Sequence, residues 1–572
     1  MEKKWQILKP DAETVNNLSA QLHCHPITAT ILVNRNLTSA REASNFVTAS
    51  LSDIRTPFSL KDMDVAVGRI YRAIIENENI LIFGDYDVDG ITATAVLMDF
   101  LQGIGANVSA YIPHRIKEGY SLQPHHISEI ALPKRIQLIV TADCGSGGQE
   151  AITVANDSGI DVIVTDHHLI SEKIPPAVAV LNPKRHDCRS GMEMMAGVGI
   201  AFSLVVGLRK YLRDHNFWKN RPEPNLKNLC DLVALGTISD MVPLIKENRI
   251  FSKAGLDLIN SAPRPGLSTL QNVAGISNRP TDAEDIAFRL APRLNAAGRM
   301  DHASIALKLL TTTNSTTAGQ LAESLNGLND RRQKQERLIL EGILSDFERY
   351  PDRLDKSALV CWHPGWHQGV LGIVASRLTE KYFRPAVLIA VRDEVGKGSA
   401  RSIPGLDLFK ALQACKHCLQ DFGGHSMAAG LTIPAQKLTE FQHTFEKTVA
   451  GMIRPDESTP RLTIDAEIKF TDISEILINE IEALSPFGIA NPEPVFMTRN
   501  VKVVSSKIVG SNHRKMMLAP AADRAQQPVP AIRFNADGRM QTEKAFSRIA
   551  YRLRWNRWNA NKTIQLIVED AE

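Results

Sequence analysis

Three short runs between residues 80 and 165 are apolar at nearly every position: 80–83 (ILIF), 137–142 (QLIVTA) and 161–165 (DVIVT). Runs that are continuous rather than alternating predict strands covered on both faces, and the stretches between them, GITATAVLMDFLQGI and GGQEAITVANDSG, read as helices. Together they predict a doubly wound parallel sheet. From about residue 313 to 350 the pattern turns to a polar helix with few turn signals after Gly327, read as a long connecting helix. A second α/β unit follows, with strand candidates SALVCW and AVLIAV, and residues 453–461 (IRPDESTPR) read as a linker. Beyond it LTIDAEIKF, PVFMTRNVKVVSSKIVG, MMLAPA, VPAIRF and TIQLIVED are short β candidates separated by turns, consistent with a small barrel. The expected organisation is a helical segment at 1–60, a catalytic α/β domain at 61–250, a helical connecting region at 251–350, a smaller α/β domain at 351–455 and a barrel at 460–572.

At 572 residues the chain exceeds one core, and roughly 150 residues per domain suggests three or four. Hydrophobic residues at 44% and charged residues at 23% fit ordinary globular cores. The longest uncharged apolar-rich stretch, MMAGVGIAFSLVVGL, falls short of the roughly 20 residues that cross a bilayer, and the N-terminus has no apolar h-region. A cytoplasmic protein with no membrane partner is expected. Seven cysteines without regular spacing form no disulfide framework, and the single CxxC, Cys415 and Cys418, reads as packing rather than a zinc site. The net charge of +3 conceals an asymmetry: residues 501–562 hold 13 Lys and Arg against 3 Asp and Glu, which leaves −7 for the remainder. Among these charges stand Phe534, Tyr551, Trp555 and Trp558, beside Arg533, Arg552, Arg554 and Arg557. Cationic side chains with interleaved rings bind single strands without reading sequence, although YRLRWNRWN also reads as an edge strand with its charges in water.

The run ILIFGDYDVDG sets Asp85, Asp87 and Asp89 at alternate positions after an apolar strand. At roughly 4 Å and an effective dielectric near 20, each such pair repels by about 4 kcal/mol, so a cation is expected among them. DYDVDG opens like a calcium loop, but position twelve is Val96 where a bidentate Glu is needed, and the preceding segment is a strand. The alternative places these carboxylates in the crevice beyond the carboxyl ends of an open sheet. LIVTADCG ends at Asp143, VIVTDHH at Asp166, His167 and His168, and LCDLVALGTISDMVPL offers Asp240 after a helix. Oxygen and imidazole ligands without thiolate suit Mg²⁺ or Mn²⁺, with imidazole favouring manganese. A carboxylate bridging two such ions activates water for attack on phosphorus.

The order DYDVDG, TADCG, TDHH and ALGTISDMVPL resembles the DHH phosphoesterase superfamily. APRLNAAGRM, GWHQGVLGIVASRL, KGSARSIPG and FGGHSMAAGLTI extend the resemblance to the single-stranded-DNA-specific exonucleases of bacteria over almost the whole chain. The resemblance implies a DHH domain, a smaller DHHA1 domain across a cleft, and a C-terminal OB-fold β-barrel. It implies two ions, with Asp85, Asp87 and Asp143 on one and Asp89, Asp143, His167 and Asp240 on the other. His168 would face the scissile phosphate, with Asp166 orienting an imidazole. Arg115, Ser399 and Arg401, joined by Arg293 or Arg299, would hold a 5′-phosphate, and Gly423, Gly424, His425 and His367 would meet the substrate. Arg552, Arg554, Trp555 and Trp558 would contact DNA on the barrel. The implied activity is 5′-to-3′ hydrolysis of single-stranded DNA to mononucleotides in recombination, repair and mismatch repair. The protein would be a monomer working with a single-stranded-DNA-binding protein and a RecQ-type helicase. Two other readings compete: a phosphodiesterase for short oligonucleotides or cyclic dinucleotides, against which the extra C-terminal residues argue, and a catalytically silent DNA-binding scaffold, against which the intact ligand positions argue.

Overall fold

The apolar runs form the strands Ile80–Gly84, Leu138–Ala142 and Asp161–Thr165, buried at every position except Asp161. In the computed structural model, which describes residues 3–453, 459–521, 527–536, 538–558 and 561–572, they lie in a five-stranded sheet. Val108–Tyr111 pairs on one side of Ile80–Gly84, then Leu138–Ala142, Asp161–Thr165 and Ala179–Leu181 follow, all parallel. In order along the chain this is 2-1-3-4-5, an arrangement whose switch point lies between the first and third strands. The crevice therefore opens where Asp85 and Asp143 leave the sheet. Helices Val88–Gly103, Gly197–Asp214 and Cys230–Ser239 cover one face, and the first is buried over nearly its full length.

The long helix runs Ser315–Arg349, and its Ile339, Ile343 and Phe347 enter a core with Val370, Val374 and Leu388 of the second domain. That domain holds a mixed sheet in the order Asp421–Gly424, Ala428–Pro434, Val395–Arg401, Ala386–Arg392, Leu359–His363. Cys415 and Cys418 are unbridged in its apolar core, as packing residues. Among the described residues no helix is long and apolar enough to cross a membrane.

Contacts divide the chain into two units, Arg55–Val242 with Ala254–Pro460, and Lys3–Ile54 with Pro243–Lys253 and Arg461–Glu572. The second unit is a closed barrel: Phe496–Val509, His513–Pro520, Val529–Arg533, Asn561–Ala571 and Ala545–Trp558 pair in turn, and the last returns to the first. Within the run YRLRWNRWN, Tyr551 pairs on both sides, whereas Arg552–Trp558 pair only with Asn561–Ala571 and so form an edge, as the second reading of that run expected. The N-terminal segment completes this unit. Lys4–Ile7 pairs in parallel with Arg461–Ile464, and Leu18, Ile31 and Leu32 join Phe496, Leu518 and Leu566 in one core. Of the linker expected at 453–461, residues 454–458 lie outside the described residues.

Candidate active site

Each strand end at the crevice is tied to its neighbour before it delivers a side chain. The Asp85 amide donates to the Ala142 carbonyl (3.1 Å), that of Asp143 to Thr165 (2.9 Å), and that of Asp166 to Leu181 (3.1 Å). Asp143 holds φ at 63°, a left-handed conformation that aspartate tolerates better than most residues. Asp87 caps the helix Val88–Gly103 by accepting from the Gly90 amide at 3.1 Å, which leaves Asp89 buried in its first turn. Asp240 follows the helix Cys230–Ser239 as its C-cap.

Six residues far apart in sequence meet here. His167 Nε2 lies 3.2 Å from Asp143 Oδ1, 3.6 Å from Asp240 Oδ2 and 3.7 Å from Asp89 Oδ2. Asp85, Asp87 and Asp143 offer one oxygen each within 4.8 Å of one another, as do Asp89, Asp240 and the His167 ring. Asp143 links the first group to His167 of the second, and with His167 and His168 it forms a third such group. Among the described residues, the buried atoms Asp85 Oδ1, Asp143 Oδ1 and His167 Nε2 have no hydrogen-bond partner. Buried polar atoms left open at a confluence of hard ligands fit divalent cations. Fixed donors occupy the other lone pairs: the amides of Gly197 and Val198, opening the helix Gly197–Asp214, donate to Asp89 at 2.6 and 2.8 Å. Burial, with Asp87 next to it, pushes Asp89 up to about 7. Burial and the neighbouring carboxylates likewise hold Asp85, Asp143 and Asp240 well above their ordinary range. Burial, reinforced by the His168 charge, draws His167 down to about 3 and keeps its imidazole neutral, as a ligand must be.

Asp166 orients His168, not His167, the imidazole expected among the ligands. Its Oδ1 lies 2.8 Å from His168 Nδ1 and accepts from both histidine amides, while Oδ2 accepts from Ser146. The consecutive rings stand edge to face with centroids 4.7 Å apart, His168 turned to Asp166 and His167 Nε2 to Asp143. Burial would lower His168, but the bond and charge of Asp166 outweigh it and raise its affinity for a proton. The Tyr120 hydroxyl approaches the same Nδ1 at 3.2 Å.

A second cluster is cationic. Arg299 donates to the Gly369 carbonyl at 3.1 Å, and burial, then Arg115, Arg401 and Arg332, lower it to about 9. Arg115 lies 4.7 Å over the Tyr86 ring. Arg401 donates to Ser399 Oγ at 3.2 Å, and a Cβ on Gly372 would come within 2.9 Å of both side chains, so the pair abuts the first turn of helix Leu371–Tyr382. Convergent guanidinium groups at a helix N-terminus suit a phosphate. Arg293 turns instead to Asn326 and the Arg289 carbonyl. Arg332, which the charge run DRRQKQE concealed as a solvated face, is buried and held by Asn329 and Glu336. His367 accepts from the Gly369 amide beside Arg299. Gly424 at φ 141° closes the turn to Ala428, where a Cβ would strike the Ala428 carbonyl at 2.4 Å; Gly423 precedes it, and His425 follows within electrostatic reach of His168.

On the barrel Arg554 and Arg552 reach Glu493, at 2.6 and 3.3 Å, and Arg552 also meets Glu569. Trp555 is half-buried, with Lys562 3.9 Å over its ring. The side chain of Trp558 lies outside the described residues.

A paired acidic and imidazole cluster at the switch point of a parallel sheet, with an adjoining arginine cluster and a separate small barrel, defines a metal-dependent phosphoesterase. Residues 79–237 match the DHH family, N-terminal domain; 355–451 match the DHHA1 domain; 464–570 match the RecJ OB domain. The chain is 35% identical over 573 residues to the single-stranded-DNA-specific exonuclease RecJ of Bacillus subtilis, covering 99% of this chain and 70% of the relative. To RecJ of Salmonella typhimurium it is 34% identical, covering 100% and 99%. The crystal structure of Thermus thermophilus RecJ in complex with Mn²⁺ superposes with a TM-score of 0.84 at 28% identity, covering all of this chain and 79% of that one; the Mg²⁺ complex of that protein gives 0.77 at 27%, covering 100% and 78%. The chain belongs to the RecJ family of single-stranded-DNA-specific exonucleases.

Proposed function

We propose that this protein hydrolyses single-stranded DNA from the 5′ end to mononucleotides, with two divalent cations, Mn²⁺ or Mg²⁺, in the acidic cluster. The observation that carries the reading is the meeting of two ligand sets at Asp143. Asp85, Asp87 and Asp143 would hold one ion, and Asp89, Asp143, His167 and Asp240 the other. When bound, such a pair makes a water nucleophilic and neutralises charge on phosphate oxygens. His168, fixed through Nδ1 by Asp166, leaves its other ring nitrogen for the scissile phosphate. Arg115, Arg299 and Arg401 with Ser399 take a terminal phosphate by charge-assisted bonds, which would set the polarity. His367, Gly423, Gly424 and His425 border the strand, and Arg293 contributes charge from farther off.

The barrel would hold the strand without reading sequence, with Arg552 and Arg554 reaching phosphates only by exchanging Glu493; Trp555 and Trp558 would supply stacking rings. A monomer in the cytoplasm, taking strands opened by a RecQ-type helicase and coated by a single-stranded-DNA-binding protein, would serve recombination, repair and mismatch repair. Digestion of end-labelled single-stranded and duplex DNA with Mn²⁺, Mg²⁺ or EDTA tests polarity, strandedness and metal need together. Mononucleotide release from the 5′ end of single strands, abolished by EDTA, is expected; release from the 3′ end, equal digestion of duplex, or activity in EDTA refutes the reading. Asp143→Ala is expected to abolish hydrolysis while sparing DNA binding, and retained hydrolysis would remove the bridging role.

A further inference from the structure

Two residues of the site are followed directly in the chain by apolar side chains left in solvent, and a third exposed side chain, that of Tyr120, reaches His168. Leu169, directly after His168, is 67% exposed, and Met241, directly after Asp240, is 68% exposed. Tyr120, whose hydroxyl lies 3.2 Å from His168 Nδ1, is 42% exposed. His167 Nε2 lies 3.6 Å from Asp240 Oδ2, so the two chain segments that carry Leu169 and Met241 meet at one cluster. Single exposed apolar residues are ordinary, but these adjoin the same few carboxylates and imidazoles. Met241 has a second peculiarity: at φ 59° it occupies the left-handed region, where an unbranched apolar side chain gains nothing from a local hydrogen bond. Folding thus leaves Met241 both strained and unburied, one residue past a proposed ligand.

We propose that Leu169, Met241 and Tyr120 form an apolar rim that receives the faces of unpaired nucleobases as the strand passes the cations. The inference rests on the nuclease reading above and assigns the part of the substrate that reading leaves uncontacted. A single strand presents two kinds of surface. Its phosphates find the cations and the arginine cluster; its base faces have no counterpart among charged groups, and an aliphatic or aromatic rim supplies one. Every base has such a face, so contact of this kind is tolerant of sequence. A duplex keeps those faces stacked inside, and the rim therefore favours single strands through contact as well as through width.

The test uses the full chain with Mn²⁺ and two single strands of equal length and the same 5′-phosphate, one with normal bases and one with abasic tetrahydrofuran units over its first several positions. Wild type is expected to degrade the base-bearing strand with the higher kcat/KM. The double variant Leu169→Ala, Met241→Gly removes both side chains from exposed positions, and glycine relieves the backbone at 241. Its preference for the base-bearing strand is expected to fall roughly tenfold. An unchanged preference in the double variant, or no preference in wild type, overturns the rim. Failure of wild type to cleave either strand would instead refute the nuclease reading, and the rim with it.

Discussion

Gly197→Ala is a one-methyl perturbation aimed at the support of the cluster rather than at a ligand. A Cβ on Gly197 would stand 2.4 Å from Asp143 Oδ1 and 2.7 Å from its Cβ and Cγ, against the 3.0 Å below which real Cβ contacts are essentially never seen. Either Asp143 or the start of helix Gly197–Asp214 must retreat by about 0.6 Å. Asp143 is pinned by its amide bond to Thr165, and the helix carries the two amides that hold Asp89 at 2.6 and 2.8 Å, so either movement disturbs a carboxylate. Metal ligands tolerate displacements of about 0.2 Å, and misplacement approaching 1 Å costs on the order of 100-fold in rate. Overpacking costs about 1–3 kcal/mol of stability. Titration calorimetry with Mn²⁺ should therefore show weakened binding, and exonuclease assays on single-stranded DNA a loss of roughly 100-fold, while circular dichroism retains the native spectrum. Wild-type Mn²⁺ affinity together with wild-type rate would refute the placement of this helix against the cluster.

Asp166→Asn should move the pH profile. Burial lowers His168 and Asp166 raises it, with the second effect the larger, so the imidazolium persists to higher pH than an isolated histidine and its pairing is lost as pH rises through that raised value. Without the carboxylate charge the proton leaves earlier, and the alkaline limb of kcat/KM should shift to lower pH, with a rate loss of roughly 10- to 100-fold; an unmoved limb removes the coupling. Arg401→Ala should cost roughly tenfold to 100-fold on 5′-phosphorylated strands, as expected for a charged hydrogen bond of about 1.5–3 kcal/mol, and little on 5′-hydroxyl strands. Equal losses on the two substrates would exclude a terminal-phosphate role.

The central strands were legible because burial on both faces writes itself as unbroken apolar runs, and the acidic and imidazole residues that meet at the site because they cluster just past such runs or, for Asp240, past a helix. What the chain conceals is whatever depends on distant partners. Nothing local in KWQI announces that Lys4–Ile7 pairs with a strand more than 450 residues later, nor that the helices after it share the barrel core. Gly197 reads as one small residue in an apolar run, and only the fold reveals that its amide and its missing side chain serve different aspartates. The basic segment misled in another way. Counted over 501–562 it carries +10, yet Arg548, Arg552, Arg554 and Arg557 meet Glu572, Glu493, Glu569 and Glu482, all of which lie outside that window. A charge sum along the sequence takes no account of neighbours brought in by strand pairing, so it overstates the positive field on the barrel.

The repulsion among Asp85, Asp87 and Asp89 is resolved by geometry more than by dilution. The fold gives Asp87 a helix to cap and gives Asp89 two amides at the start of another helix, each fixed donor engaging one oxygen. It leaves Asp85 Oδ1 and Asp143 Oδ1 buried and open. Burial then acts in two directions. Without a cation it favours protonation, at Asp89, which rises to about 7, and at Asp85, Asp143 and Asp240, which are raised well above their ordinary range. With a cation the same exclusion of water strengthens attraction to every carboxylate at once. Binding of a cation therefore displaces protons from the cluster, and the burial that makes the bare aspartates costly also strengthens their attraction to a divalent ion.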